Sequence, residues 1–233
     1  MRGILEVDYI VKGFSDAFKM LFTFNDELIV IILVSIKVSV TSSSIATLAG
    51  VPCAFCINVK KFRGKQVVII VLNTLMSLPT VLIGLMVYAF LSRNGPFGFL
   101  GVLYTPWAMI IGQSILIFPL ITALSLSAIN SVDKRVEKTA ITLGANHFQT
   151  AVLILSEGKE AILSGIIAGF GRVFSEVGIS MMLGGNIRGL TRNITTAIAL
   201  ETSKGEFSLS IALGIVLLTV ALSINIVLRY FQK

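Results

Sequence analysis

Charge is scarce in this sequence. Of 233 residues, 13% are Asp, Glu, Lys or Arg while 55% are hydrophobic, and the mean hydropathy is +0.92. Soluble domains usually carry about 25% charged residues. One water-soluble core could not hide this much apolar surface, which excludes an ordinary soluble enzyme or binding domain. Acids are scarcer still, 12 against 19 Lys and Arg, for a net charge of +7. That excess does not describe a nucleic-acid partner. Lys and Arg gather in short connections between apolar runs, and aromatic residues are not interleaved with them as a base-stacking surface requires.

Metal-binding and nucleophilic residues are also few. Cys53 and Cys56 form Cys-Ala-Phe-Cys. Without a second Cys or His cluster they cannot complete a four-ligand zinc site, and their spacing falls inside an apolar helix. This favours a pair of membrane-helix thiols over a redox pair or half of a metal site. His147 is the single histidine and reads as an interface residue. Neither G-x-x-x-x-G-K-[ST] nor G-x-S-x-G occurs, and no pair of acids is arranged for catalysis. The chain is therefore not expected to be an enzyme, to bind ATP through a phosphate loop, or to hold a metal or cofactor of its own. The opening MRGILEVDYI lacks the basic, apolar and small-residue order of a cleavable signal, so the first membrane helix is expected to act as its own uncleaved insertion signal. The few residues after the last span leave no regulatory C-terminal domain to expect.

Five long apolar runs are present instead. Crossing the hydrocarbon core as a helix takes roughly 20 mostly apolar residues. The stretches 28–56, 66–91, 106–129, 161–183 and 207–228 qualify, the first interrupted by Lys37 and the fourth carrying Arg172 and Glu176. Before them, Ile4, Val7, Val11, Phe14, Phe18 and Leu21 recur at steps of three and four, with Glu6, Asp8, Lys12, Asp16 and Lys19 between. Residues 1–24 thus predict an amphipathic helix lying at the interface or against a partner subunit, or dipping into the bilayer as a sixth element. The expected fold is an all-α integral membrane protein: about five transmembrane helices over 25–233, embedded in the lipid of a plasma or bacterial inner membrane.

Orientation follows from the basic connections. Lys60, Lys61, Arg63 and Lys65, then Lys134, Arg135, Lys138 and Lys159, then Arg229 and Lys233 belong on the cytoplasmic side. The N-terminus and the segments 92–105 and 184–206 then face outward. Pro52, Pro79 and Pro119 lie within apolar runs and predict kinks. Gly165, Gly169 and Gly171 permit close helix contact in lipid.

The cytoplasmic segment 131–160, SVDKRVEKTAITLGANHFQTAVLILSEGKE, is much longer than the connection after the first span and has helical periodicity of its own. Ala140, Leu143, His147 and Val152 can fall near one face. Ala140 and Gly144 are four apart, so their small side chains let another surface come close, and Gly144 permits a turn between two short helices. A structured loop of this length on a small membrane bundle suits docking of a soluble partner. A solvated amphipathic loop with an incidental glycine is the alternative.

Glu137, Ala140, Leu143-Gly144-Ala145 and Ile154 resemble the coupling motif of ABC-importer permeases: E-A-A, three residues, Gly, nine residues, then I-x-L-P. Aligned on Gly144, E-A-A becomes Lys138-Thr139-Ala140, with the acid one place early at Glu137, and the closing L-P becomes Ser156-Glu157. SLPTVLIGLMVYAFLSRNGPFG is similar to the second-helix and outer-loop region of oxyanion importers. AGFGRVFSEVGISMMLGGNIRG resembles the fourth-helix signature of molybdate, tungstate and sulfate permeases, with Arg172, Glu176, Gly178 and Gly185-Asn186 in matching places. TRNITTAIALETSKGEF and the Ser156-Glu157 pair resemble the tungstate branch most. The resemblance implies type I ABC-importer permease architecture and import of an oxyanion, tungstate in the first place and molybdate or sulfate as alternatives. It further implies a separate ABC ATPase carrying ATP and Mg, an extracytoplasmic oxyanion-binding protein, and a second copy of this chain. A membrane enzyme would need polar catalytic residues clustered at one face, and a scaffold would not need the glycine-centred loop.

Charges inside a membrane helix cost several kcal/mol unless paired or hydrated. Arg172 and Glu176, four apart, predict a shared helix face, where they form either a packing salt bridge or a gate. Lys37 could attract an anion, pair with an acid or snorkel. Ser42 and Ser43, with Thr41 and Ser44, offer hydroxyls that serve either a polar pathway or bonds to the backbone and neighbouring helices.

Overall fold

The computed structural model describes residues 26–60 and 62–230 together with Val11, Phe14, Ser15 and Lys19; the side chains of Asp26, His147, Ser208 and Leu228 lie outside the described set. The amphipathic helix expected over 1–24 falls outside the described residues apart from those four.

Three helices are long and apolar enough to cross a membrane unaided: α1 (Asp26–Val59), α4 (Pro106–Ser131) and α10 (Phe207–Tyr230). Two broken pairs supply the other apolar runs. α2 (Lys65–Met76) and α3 (Thr80–Leu91) meet at 99°, and α7 (Lys159–Phe174) and α8 (Gly178–Gly184) at 58°. Counting each pair once gives the five spans expected from hydropathy. The cytoplasmic segment forms α5 (Lys134–Thr142) and α6 (His147–Glu157), and α9 (Ile194–Ser203) precedes α10.

The three prolines act differently. Pro52 and Pro119 sit inside α1 and α4. Pro79, read as a kink, instead ends one helix and starts the next: it is the N-cap of α3 with φ −59° and ψ 131°, after Ser77 and Leu78 have left the helix. Proline has no N–H to continue the ladder and forces its predecessor out of the α region, so a near-right-angled elbow replaces a straight span.

α4 is the axis of the bundle. It packs along α1 and also meets α2, α3, α7 and α8. Met109, Ile117 and Ile121 of α4 and Ile179 and Leu183 of α8 are wholly buried. Gly112 lets α4 and α8 approach: a Cβ there would lie 2.4 Å from Leu183 Cδ1 and 2.7 Å from Ile179 Cγ2. Exposed apolar side chains elsewhere, such as Leu218 at 71% and Val67 at 62%, cover the outside of the bundle, as lipid-facing helices require.

The segment 184–206, read as an outward loop, is different in the structure. Ile194, Thr195, Thr196 and Ala197 at the start of α9 are buried, and Ile194 N–H donates to Ser35 Oγ of α1 at 2.9 Å. Ser35 lies nine residues into α1, about 13 Å along its axis. The chain therefore folds back into the bundle before α10 begins.

Gly112→Ala is expected to overpack the α4–α8 contact and destabilise the detergent-solubilised protein by about 1–3 kcal/mol, read as a lower thermal midpoint. Gly171→Ala, where an added Cβ meets nothing within 4 Å, should leave the midpoint nearly unchanged.

Candidate functional site

Two structured regions stand out: a stiff helical hairpin on the side assigned to the cytoplasm, and a polar network inside the bundle.

The hairpin begins with Asp133, whose carboxylate caps α5 by accepting from Arg135 N–H at 2.9 Å and also pairs with the Arg135 guanidinium at 2.8 Å. At the other end of α5, Gly144 takes φ +87°. Its N–H donates to Ile141 O and the Ala145 N–H donates to Ala140 O, each at 3.0 Å, the double bond that closes a helix on a left-handed glycine. The next residue, Asn146, opens α6 with a reciprocal cap: its side chain accepts from Gln149 N–H and its own N–H donates to the Gln149 side chain, both at 2.9 Å. A single turn thus joins two capped helices. At its roots α5 leaves α4 through Val132 and Asp133, and α6 enters α7 through Gly158. Asn58 donates to Asn130 at 2.7 Å and Lys65 to Asn58 O at 3.0 Å, tying the ends of α1 and α2 to that of α4.

The hairpin's faces differ from the sequence reading. Ala140 is buried, as are Thr150 and Ala151, while Leu143 is 82% and Phe148 77% exposed. Ala140 is therefore not open to the approach of another surface, and it does not share an exposed face with Leu143 and Val152. Glu137, Lys138 and Gly144 are exposed, Ala145 and Ile154 half-buried. His147 opens α6, with its side chain outside the described set.

Inside the bundle, four elements are joined by hydrogen bonds. Ser42 of α1 donates to Gln113 of α4 at 3.2 Å, Gln113 Nε2 donates to Ser180 Oγ of α8 at 3.0 Å, and Asn193 Nδ2 donates to the same oxygen at 3.1 Å. Asn193 also caps α9 by accepting from Thr196 N–H at 2.8 Å, and Thr195 Oγ1 donates to Glu176 O at 2.9 Å. Gln113, Ser180, Asn193, Thr195 and Thr196 are all buried. Of these, the pattern Asn193-x-x-Thr196 ahead of an apolar run was readable as a helix start. Gln113 and Ser180 carried no such signal.

The charged candidates are rearranged. α7 stops at Phe174, so Arg172 and Glu176 do not share a helix face and no ion pair joins them; the expected salt bridge is absent because the helix on which it depended is broken. Glu176 is buried in the break and its carboxylate accepts from Ile179 N–H at 3.2 Å, capping α8. Arg172 and Lys37 are exposed, and no acid among the described residues pairs with either. Ser42 belongs to the network, whereas Ser43 Oγ is buried without a partner. At the start of α1, Glu27 clamps Arg188 and Arg192, fixing the 185–193 turn.

A family profile described as binding-protein-dependent transport system inner membrane component matches residues 46–233. The tungstate uptake system permease protein TupB of Peptoclostridium acidaminophilum is 41% identical over 97% of this chain and 100% of its own length. The protein of the same name from Campylobacter jejuni subsp. jejuni serotype O:2 is 38% identical over 97% of this chain and 95% of its own. Among solved structures, a bacterial ABC transporter involved in the import of the acidic polysaccharide alginate superposes with a TM-score of 0.73 at 20% identity, covering 93% of this chain and 82% of that one; this likeness concerns the fold alone.

Asn193→Ala removes the α9 cap and one of the bonds to Ser180. A loss of about 1–2 kcal/mol is expected, measurable by thermal unfolding in detergent.

Proposed function

The chain belongs to the family of binding-protein-dependent transport system inner membrane components, and from that premise we propose that it is the membrane subunit of an importer for tungstate, driven by a separate ABC ATPase. It is an ABC-importer permease of the tungstate and molybdate type, a transport subunit set in the inner membrane. The choice of tungstate rests on near-full-length likeness to two tungstate uptake permeases.

The observation that carries the mechanism is the α5–α6 hairpin. Its caps and glycine turn satisfy the backbone at the junction, while Leu143 and Phe148 stand out into solvent. Exposed apolar anchors on a rigid hairpin suit a hydrophobic groove on a soluble partner. The hairpin is rooted in α4 and α7, so displacing it moves those helices directly. ATP binding by a pair of ATPase subunits, with Mg, would pull two hairpins together and turn the helices toward the outer face. An extracytoplasmic binding protein would deliver the oxyanion there. Two copies of this chain would enclose the pathway, since five spans are few for an alternating-access route. Glu137, Lys138, Leu143, Gly144, Ala145, His147 and Ile154 then belong to the coupling segment, with Ala140 buried within it.

The test is reconstitution of the permease with its ATPase and binding protein in proteoliposomes. ATP-dependent accumulation of tungstate, resistant to excess sulfate and less so to molybdate, is the expected result. Preferred accumulation of molybdate or sulfate overturns the choice of substrate. The double variant L143D/F148D is expected to reach the membrane normally, to lose co-purification of the ATPase, and to lower uptake at least tenfold. Unchanged uptake would remove the hairpin from the coupling path.

A further inference from the structure

The α5–α6 hairpin leaves one end of α4, and the segment joining α3 to α4 lies at the other, about 39 Å away along 26 residues of helix. From Ser92 to Trp107 this segment has one charge, Arg93, and no acid. No acid elsewhere among the described residues pairs with Arg93. Phe99 is 82% exposed and Trp107 60%, and Phe97 and Leu100 are exposed as well. They continue a strip of exposed apolar side chains on α3, Leu82, Leu85, Met86 and Phe90, with the Phe97 and Phe90 rings 6.2 Å apart. The apolar outside of the bundle therefore runs on over the loop. Aromatic residues at the end of a membrane span belong to the boundary between hydrocarbon and headgroups.

Within the loop opens a pocket of about 540 Å³. Arg93, Asn94, Tyr88 and Tyr104 bring polar groups to it, and Leu91 and Leu103 give it an apolar wall. The Tyr88 and Tyr104 hydroxyls are exposed and 3.4 Å apart. One O–H can lie between the two oxygens, which leaves the other hydrogen to donate to a ligand. The wall is fixed in place. Tyr104 holds φ +62°, a backbone that residues other than glycine rarely adopt, and its N–H donates to Leu183 O of α8 at 2.9 Å. A Cβ on Gly95 would collide with Ala89 O and one on Gly98 with Ser92 O, so the loop lies directly on the end of α3.

We propose that this pocket holds the phosphate of a phospholipid, phosphatidylglycerol ahead of a lipid without net charge. With the hairpin on the cytoplasmic side, the lipid belongs to the outer leaflet. Arg93 pairs with the phosphate, as a guanidinium does with two oxygens at once. Asn94 and the free tyrosine hydroxyl donate to the remaining oxygens, and the acyl chains descend along the exposed strip of α3. A free oxyanion shares the chemistry of the phosphate, but it has no use for Leu91, Leu103 or the apolar side chains around the loop. A lipid uses all of them, and one unpaired cation balances the single charge of a phosphodiester. Held there, it ties the outer arm of the Pro79 elbow to the bilayer and, through Tyr104, the end of α8.

Trp107 is the single tryptophan and reports the depth of the loop. In vesicles of phosphatidylethanolamine and phosphatidylglycerol, the full chain is expected to have its fluorescence quenched at least twice as strongly by lipids brominated near the headgroup as by aqueous iodide. Quenching by iodide alone puts the loop in water and overturns the proposal. The pocket itself is read by native mass spectrometry of the permease with its ATPase, purified in detergent and exposed to phosphatidylglycerol. Arg93→Gln is expected to lower the retained phosphatidylglycerol about fivefold, Arg93→Lys to keep most of it, and Tyr88→Phe to fall between. Retention by Arg93→Gln equal to that of the unaltered chain overturns the site. Release of the lipid from the unaltered complex by excess sulfate or tungstate makes it a site for the free anion and overturns the lipid.

Discussion

Hydrocarbon offers no hydrogen bonds, so a backbone group placed in it must find its partner within the protein. Much of this molecule follows from that constraint. Helix breaks open backbone groups, and those around α8 and α9 are closed locally: Glu176 caps α8, Asn193 caps α9, and the Thr191 hydroxyl donates to Gly184 O at 2.6 Å while accepting from Ile187 N–H at 2.9 Å. The chain can fold back into the bundle at α9 because Ser35 of α1 accepts the first N–H of that helix. The network through Gln113 and Ser180 is the result, and it locks α8 and α9 to the two central helices.

The same constraint separates what could be read from the sequence from what could not. The five apolar runs were legible because a bilayer demands length and hydropathy together. The glycine turn at Gly144 was legible because a positive φ demands glycine. The Arg172–Glu176 pairing was not, because spacing of four implies a common face only on an unbroken helix, and nothing local in SEVG announces a break. The burial of α9 was hidden by its setting, since Arg188, Arg192 and Asn193 give 184–206 the composition of a surface loop. Ser42 and Ser43 are neighbours of the same type. Only the position of Gln113 across the helix interface makes one a network member and leaves the other without a partner.

At the hairpin, rigidity rather than composition carries the argument. A glycine-closed helix end followed at once by a reciprocal cap leaves few rotatable bonds free between α5 and α6. Leu143 and Phe148 flank that junction, so a force applied to them would reach α4 and α7 with little slack. Ala140 is buried, and its carbonyl accepts the Ala145 N–H that closes the turn.

The elbow at Pro79 bears on how the protein is made. Its two arms hold 12 residues each, about 18 Å of helix apiece, and neither alone matches the thickness of the bilayer. A translocation channel that partitions segments one at a time would have little reason to release either arm into lipid. The two must settle in lipid as a pair, and the helices they pack against, α4 and α8, both follow them in the chain. The bend therefore gains its shelter late in synthesis, only once α4 and α8 have followed it out of the channel.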